Sequence, residues 1–282
     1  MVRSLNSGVS GLQQYQQSMD VIGNNIANVN TVGFKASRAE FSETFNQTLR
    51  TSRSGSPTMQ VGSGVTTSTI KNLYTQGAVT RTGILTDLAI TGEGFFVLRD
   101  TQTDLKYYTR CGEFRLDKDG YLIANNGFRV QGEMWDNSTT PPTKTSGDIK
   151  IDGSGRPTSA DPAAVLSGYN IDNEGKINVK LSDGTTYVQG QILLQKFTDP
   201  QSLIKEGNNM FSAPPEAGIA AAPLAPGSEG LGKIEAEALE LSNVDLTNEF
   251  TNLIKTQRAF QASARIITTS DEMIQETLNL KR

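Results

Sequence analysis

Apolar residues recur at alternating steps of four and three near both ends of this chain, and the pattern is lost between them. Near the C-terminus the series is Leu246, Phe250, Leu253, Gln257, Phe260, Ala264, Ile267, Asp271, Ile274 and Leu278, with eight of ten apolar. Near the N-terminus it is Leu5, Val9, Leu12, Gln16, Met19, Gly23 and Ile26, with five of seven apolar. Such spacing places one narrow apolar stripe on a helix, the seam of a coiled coil. The pattern predicts a first helix from residue 3 to about 28 and a last helix from about Val244 to Asn279. The last helix contains neither Gly nor Pro, and at 1.5 Å per residue it would be roughly 54 Å long. Ser242 followed by Asp245 resembles a capping box at its start.

Between the ends, short apolar runs are bounded by Gly, Asp or Asn: Asp87-Leu88-Ala89-Ile90, Gly94-Phe95-Phe96-Val97-Leu98 and Gln191-Ile192-Leu193-Leu194. These read as β-strands. One motif repeats. Phe114-Arg115-Leu116-Asp117-Lys118-Asp119-Gly120-Tyr121-Leu122 matches Tyr169-Asn170-Ile171-Asp172-Asn173-Glu174-Gly175-Lys176-Ile177, each an alternating strand, an acidic-Gly turn and a second strand. That is the signature of a β-hairpin. Lys35–Leu49, with Phe34, Arg38, Phe41 and Phe45 on one side, reads as a short helix, and residues 51–64 as a Ser/Thr/Gly-rich linker. Residues 136–163, carrying Pro141, Pro142, Pro157 and Pro162, read as a surface excursion, and 213–230 as another loop. Lys233–Leu241 is expected to be a last strand.

A first helix needs a partner, so the two ends must meet. The fold class is therefore α+β. A discontinuous coiled-coil domain of residues 1–30 and 243–282 carries an inserted, mainly antiparallel β domain over 71–242. Residues 31–70 connect them as a linker with a short helix and an extended loop. The first helix also has an unusual polar face of Gln13, Gln14, Gln16, Gln17, Asn24 and Asn25, and Asp20 is the one charged residue between Leu5 and Val29. A helix facing bulk water usually carries charges opposite its apolar stripe. Amides instead suit a face packed against protein without burying ions.

Composition narrows the function. The chain has 282 residues, 36% of them hydrophobic, which is a modest supply of core. Its net charge of −4 gives no reason to expect nucleic acid or an anionic membrane as partner. No apolar run approaches the roughly 18–20 residues of a membrane span. The start lacks an apolar signal-peptide core. The expectation is a cytoplasmic chain, or one exported by a machine that leaves its N-terminus intact. There is no histidine and a single cysteine, Cys111. Those absences remove the commonest general base, the usual triads, a disulfide framework and a multi-cysteine metal site.

The remaining motifs carry no chemistry. Gly92-Glu93-Gly94 precedes a strand, whereas a phosphate loop precedes a helix. Asp117-Lys118-Asp119-Gly120 begins like a calcium loop, but Phe128 stands where the bidentate Glu is needed. Arg110 could activate the Cys111 thiol, although a packed small side chain is the simpler role. No catalytic residue, cofactor site or metal site is assigned, and the expectation is a non-enzyme.

Specific residues then point to a family. Met1-Val2-Arg3-Ser4-Leu5, Ser7-Gly8-Val9-Ser10-Gly11-Leu12 and the Asn-rich run from Val21 to Lys35 resemble the start of bacterial flagellar rod and hook proteins. Val61-Gly62-Ser63-Gly64-Val65 and Gly92-Glu93-Gly94-Phe95-Phe96 resemble their middle. Leu239–Leu246, Thr256–Ala262 and Ile267–Met273 resemble their end. Arg3-Ser4-Leu5 and Leu278-Asn279-Leu280-Lys281-Arg282 favour a short hook subunit, with distal rod subunits of similar plan as the alternative.

The resemblance implies a structural polymer. Subunits are exported unfolded by the flagellar type III apparatus and assemble under a hook cap. They join rod and hook–filament junction proteins in the flagellum outside the cytoplasm. The tube transmits torque from rod to filament and conducts exported subunits. The helices would line the inner tube through Leu5, Val9, Leu12, Met19, Ile22, Ile26, Leu246, Phe250, Leu253, Phe260, Ile267, Ile274 and Leu278. Two rivals stand beside this reading. A binding module would close its end helices on each other, and a polysaccharide-processing enzyme would need two carboxylates converging in a cleft.

Overall fold

A computed structural model describes residues 2–50, 59–138, 142–158, 161, 164–218, 222–228 and 230–280. The chain divides into two compact units. One holds residues 1–29, 35–73 and 244–282; the other holds 30–34 and 74–243.

The first unit is built on two helices, α1 (Val2–Ala27) and α2 (Leu246–Asn279). At 34 residues, α2 spans roughly 51 Å. Its cap differs from the expected box. Asp245 is the N-cap, and its carboxylate accepts from the amides of Thr247 (2.9 Å) and Asn248 (3.4 Å). A carboxylate there satisfies two orphan donors and complements the positive helix end, so the helix starts at Leu246.

The helix expected at 35–49 is absent. Strand Ser37–Glu43 pairs antiparallel with Val65–Asn72, and Asn46–Arg50 pairs with Met59–Gly62. The reason lies downstream. Val65-Thr66-Thr67-Ser68-Thr69-Ile70 is rich in β-branched residues that favour a strand, and a strand needs a ladder partner. Tertiary pairing overrides the spacing of Phe34, Phe41 and Phe45. Phe41 and Phe45 share no buried face; Phe45 is 94% exposed. Of the expected linker, residues 51–58 lie outside the described residues.

The second unit is a twelve-stranded antiparallel sheet among the described residues, with two small two-stranded ladders. Its main path runs Leu166–Ile171, Lys176–Leu181, Thr186–Ile192, Arg129–Asp136, Phe95–Arg99, Lys106–Thr109, Met210–Ser212 and Ile204–Gly207. Side chains alternate across a strand. Phe96 and Leu98 therefore enter a large core with Leu122, Ile177, Ile192 and Ile234, while Phe95 and Val97 enter a smaller one with Tyr108, Phe197 and Phe211. Both faces of that strand are covered, which is why Phe95-Phe96-Val97-Leu98 is a continuous apolar run.

The repeated motif forms hairpins at both positions. The Gly120 amide donates to the Asp117 carbonyl (2.9 Å) and the Asp117 amide to Tyr121 (2.9 Å). Gly175 and Asp172 repeat this at 2.8 and 2.9 Å. Both glycines have positive φ, 82° and 74°, as a three-residue hairpin with a glycine bulge requires. The same bonding recurs at Leu181–Gly184 and Ala124–Gly127, two copies the motif comparison did not reveal.

The excursion expected at 136–163 is partly sheet. Thr143–Asp148 pairs along Arg129–Asp136, from Asp136↔Thr143 to Gln131↔Asp148. Alternating side chains and free ladder groups on the longer strand outweigh the Pro and Ser content. Residues 139–141, 159–160 and 162–163 of that stretch, and 219–221 and 229 of the later loop, lie outside the described residues. The last strand is two, Lys233–Ala236 and Ala238–Glu240, broken at Glu237 with φ +57°.

Candidate assembly surfaces

The two helices pair antiparallel within the first unit. Gly8 faces Ser263 and Ile267 of α2, and Asn25 lies against Glu249. A Cβ added at Gly8 would sit 3.3 Å from Ile267 Cγ1, and one at Gly11 would sit 3.4 Å from Ser263 Oγ. Glycine inside a helix costs about 1 kcal/mol against alanine; here it permits close helix approach. Sequence reasoning passed over this small-residue face, although an i, i+3 glycine pair inside a helical pattern is its signal.

The inward faces are shifted from the predicted seams. On α2 the least exposed positions are Glu249, Leu253, Thr256, Ala259, Phe260, Ser263, Ala264, Ile267, Ser270 and Ile274. This row keeps half of the seam: Leu253, Phe260, Ala264, Ile267 and Ile274. The other half turns outward: Leu246, Phe250, Gln257, Asp271 and Leu278 are exposed, Phe250 by 49% and Leu278 by 62%. On α1, Ile22 is buried, Leu5, Leu12, Met19 and Ile26 are half-buried, and Val9, Gln16 and Gly23 are exposed. Each helix thus presents one half-seam to its partner and the other outward. After Ile274 every described residue of α2 is exposed.

The polar face of α1 is covered in part by its own chain. Gln14 is buried, and the Thr67 hydroxyl reaches the side-chain oxygens of Gln14 and Gln17. Ser10 meets the Val65 amide at 3.4 Å, and Tyr15 stacks edge-on with Phe41 at 6.5 Å. Among the described residues, the Asn46–Arg50 and Met59–Gly62 ribbon is mostly exposed. Met59 and Val61 are exposed with Phe45 at its base, and an isolated two-stranded ribbon is marginal in water.

In the second unit, Arg110 and Glu240 are both buried, with Nη1 and Oε2 3.4 Å apart. Glu240 Oε1 accepts the Gly77 amide (2.9 Å), and Arg110 Nη2 donates to the Gly92 carbonyl (2.9 Å). The guanidinium lies 5.2 Å from the Phe95 ring centroid. Burial pulls the Arg110 pKa down while Glu240 pushes it back. The pair ties strand ends together. Because Arg110 is committed there, it does not activate its neighbour; burial pushes the Cys111 thiol up, the opposite of a reactive cysteine. Trp135 packs under Lys144, whose Nζ is 4.6 Å from the ring centroid.

Cavities open among the described residues of this unit. One of about 300 Å³ is floored by Leu98, Ala124 and Met210 and rimmed by Cys111 and Glu113; one of about 400 Å³ is walled by Tyr74, Phe95, Phe197 and Arg110, with Glu93 at its edge. Neither holds two carboxylates. A third, of about 420 Å³, is lined by Asp172, Glu174, Pro226 and Lys233; its two carboxylates both belong to the Asp172–Gly175 hairpin turn, where Asp172 accepts the Asn173 amide (2.7 Å) and Glu174 pairs with Lys176 (2.5 Å). Among the described residues no group of three or more His, Cys, Asp or Glu could hold a metal, and no helix is long and apolar enough to cross a membrane.

Comparison with known proteins gives these surfaces a context. Residues 5–35 match the family described as flagella basal body rod protein, 89–179 the flagellar hook protein FlgE/F/G D1 domain, and 235–280 the flagellar basal body rod FlgEFG protein C-terminal region. The flagellar basal-body rod protein FlgG of Bacillus subtilis is 40% identical over 288 residues, covering all of both chains. The chain belongs to the flagellar rod and hook protein family. The rod protein FlgG of Borreliella burgdorferi is 33% identical over 294 residues, and the hook protein FlgE of the same organism 28% over 447, each covering all of both chains. Among solved structures, a Helicobacter pylori flagellar hook protein FlgE2 is 14% identical with a TM-score of 0.23, over 66% of this chain and 47% of that one. In this FlgE/F/G family, then, the chain is a flagellar axial structural protein with terminal helices around a mainly antiparallel β domain.

Proposed function

We propose that this chain is a subunit of the flagellar basal-body rod, polymerising helically into a straight hollow shaft. The observation that carries the reading is the end-to-end match to rod proteins at nearly this chain's own length, at 40% identity. The hook relative aligns over 447 residues and at 28%, so the hook expected from sequence gives way to the rod, its alternative.

The outward half-seams support polymerisation. Val9 on α1 and Leu246, Phe250 and Leu278 on α2 are apolar, exposed and aligned with rows that already pack inward. A neighbouring copy closes what one chain leaves open, and a heterologous contact that does not close on itself builds a helical tube. In this reading the predicted inner-tube residues divide in two. Leu5, Leu12, Met19, Ile22, Ile26, Leu253, Phe260, Ile267 and Ile274 hold the subunit's own pair, and the exposed members meet neighbours. The partners are further copies, adjoining rod and hook components and the type III export apparatus. The location is the basal body.

Electron microscopy of basal bodies carrying a small tag between residues 137 and 162 tests this. Label on the straight shaft is expected, and label on the curved segment overturns the rod in favour of the hook. Chains lacking residues 1–30 and 243–282 should stay monomeric; tubes formed by that truncation would remove the helices from the assembly.

A further inference from the structure

The cavity of about 400 Å³ beside the buried ion pair has the makings of a binding site. Its volume falls within the roughly 300–1,000 Å³ of small-ligand pockets. Tyr74, Phe95 and Phe197 give it aromatic walls. Phe95 and Phe197 are buried and meet edge to face at 5.6 Å, and Tyr74 meets Phe95 at 5.7 Å. Other rings hold these in turn. Phe211 packs on Phe95 at 5.8 Å and on Tyr74 at 5.9 Å, and Tyr108 packs on Phe197 at 4.8 Å. The walls are thus fixed by the smaller core, and the cavity is formed in advance of any guest.

Arg110 supplies the polar part of the lining, with its side chain only 4% exposed. Nη1 faces Glu240 and Nη2 donates to the Gly92 carbonyl. Nε is buried and has no hydrogen-bond partner among the described residues. A buried N–H on a charged group is costly to leave unmade, and such an orphan in a native fold calls for an acceptor. The charges around it are already balanced. Glu240 offsets Arg110, and at the edge Lys196 Nζ pairs with Glu93 Oε2 at 3.0 Å. A carboxylate guest would bring an uncompensated charge out of water. A neutral carbonyl oxygen would accept the same N–H without that cost. The walls select an aromatic body, because rings favour edge-to-face neighbours at these separations.

We propose that this cavity is a binding site for a neutral aromatic amide, its ring among Tyr74, Phe95 and Phe197 and its carbonyl oxygen on the Arg110 Nε–H. A free aromatic amide carries this chemistry, and so does a phenylalanine within a polypeptide. The site does not depend on whether the polymer is rod or hook.

Titration of the full-length chain, followed through the Arg110 Nε–H resonance, tests this. Phenylacetamide should shift that resonance with a dissociation constant of about 1 mM. Phenylacetate, the same shape with a charge, should bind more than about fivefold more weakly. Arg110→Lys keeps a cation beside Glu240 without the Nε–H, and should weaken phenylacetamide by more than about fivefold, read by saturation transfer to the ligand. The two wild-type titrations decide the matter if that variant fails to fold. The capped peptide acetyl-Gly-Phe-Gly-amide separates the sources. A shift with both the peptide and phenylacetamide supports the site and a polypeptide guest; a shift with phenylacetamide alone supports the site and a free small molecule. No shift with either, phenylacetate binding as tightly as phenylacetamide, or unchanged affinity in a folded R110K overturns the site.

Discussion

Replacing Phe250 with Gln separates the folding of the helix pair from its use. Phe250 follows Glu249 on α2 but turns outward, with 49% of its surface exposed. A phenylalanine buries 150–250 Å², so the open half is roughly 100 Å². Closing it against a neighbour at about 25 cal/mol per Å² contributes roughly 2.5 kcal/mol. That corresponds to about 70-fold in an association constant. Gln keeps helix propensity and adds no charge beside Glu249. F250Q should therefore raise the critical concentration for polymerisation of the full-length chain by about 70-fold, read by sedimentation. Its unfolding free energy as a monomer, measured in urea, should stay within about 1 kcal/mol of the parent. Ile267→Gln is the contrast: Ile267 meets Gly8 on the inward face, so it should cost about 2–4 kcal/mol of monomer stability. A critical concentration for F250Q within twofold of the parent refutes the outward half-seam as an assembly surface. So does a loss of monomer stability like that of I267Q.

Removing one member of the buried Arg110–Glu240 pair strands the other charge, so Glu240→Ala should cost about 3–5 kcal/mol in denaturant unfolding. The double change Arg110→Met with Glu240→Leu should cost clearly less than the two single losses added together; strict additivity would mean that the charges are not coupled. Asp245→Ala removes the cap of α2 and should cost about 1 kcal/mol, with loss of helical circular dichroism on mild heating. Burial would raise the Asp152 pKa, but bonds from Lys150 and Ser154 hold it down to about 2. Being below its unfolded value of 3.8, that carboxylate adds stability above pH 3.8 that is lost as pH falls through 2. Asp152→Asn should flatten acid unfolding in that window by under about 1 kcal/mol, given the solvent around the group; an unchanged acid limb would remove the assignment.

The sequence by itself determined the local elements. The two helices, the hairpin turns and the apolar runs were legible because short-range rules govern them: the 3.6 and 2.0 periods and the glycine that a bulged turn demands; the cap of α2 was not, since the box expected at Ser242 gave way to Asp245. The family was legible for a related reason, since the Asn-rich run and the C-terminal motifs are local strings. Tertiary structure alone decided which half of each seam faces inward. Steps of four and three define a stripe, but Gly8, Gly11, Ser263 and Ser270 let the backbones approach on one flank, and closer packing there turned Phe250 and Leu278 outward. It also decided that residues 37–43 are a strand, because their partner lies at 65–72 and no local window contains both. The Arg110–Glu240 tie was equally hidden: its members are 130 positions apart, and only a folded sheet makes them neighbours, with the low dielectric around them setting how much their pairing matters.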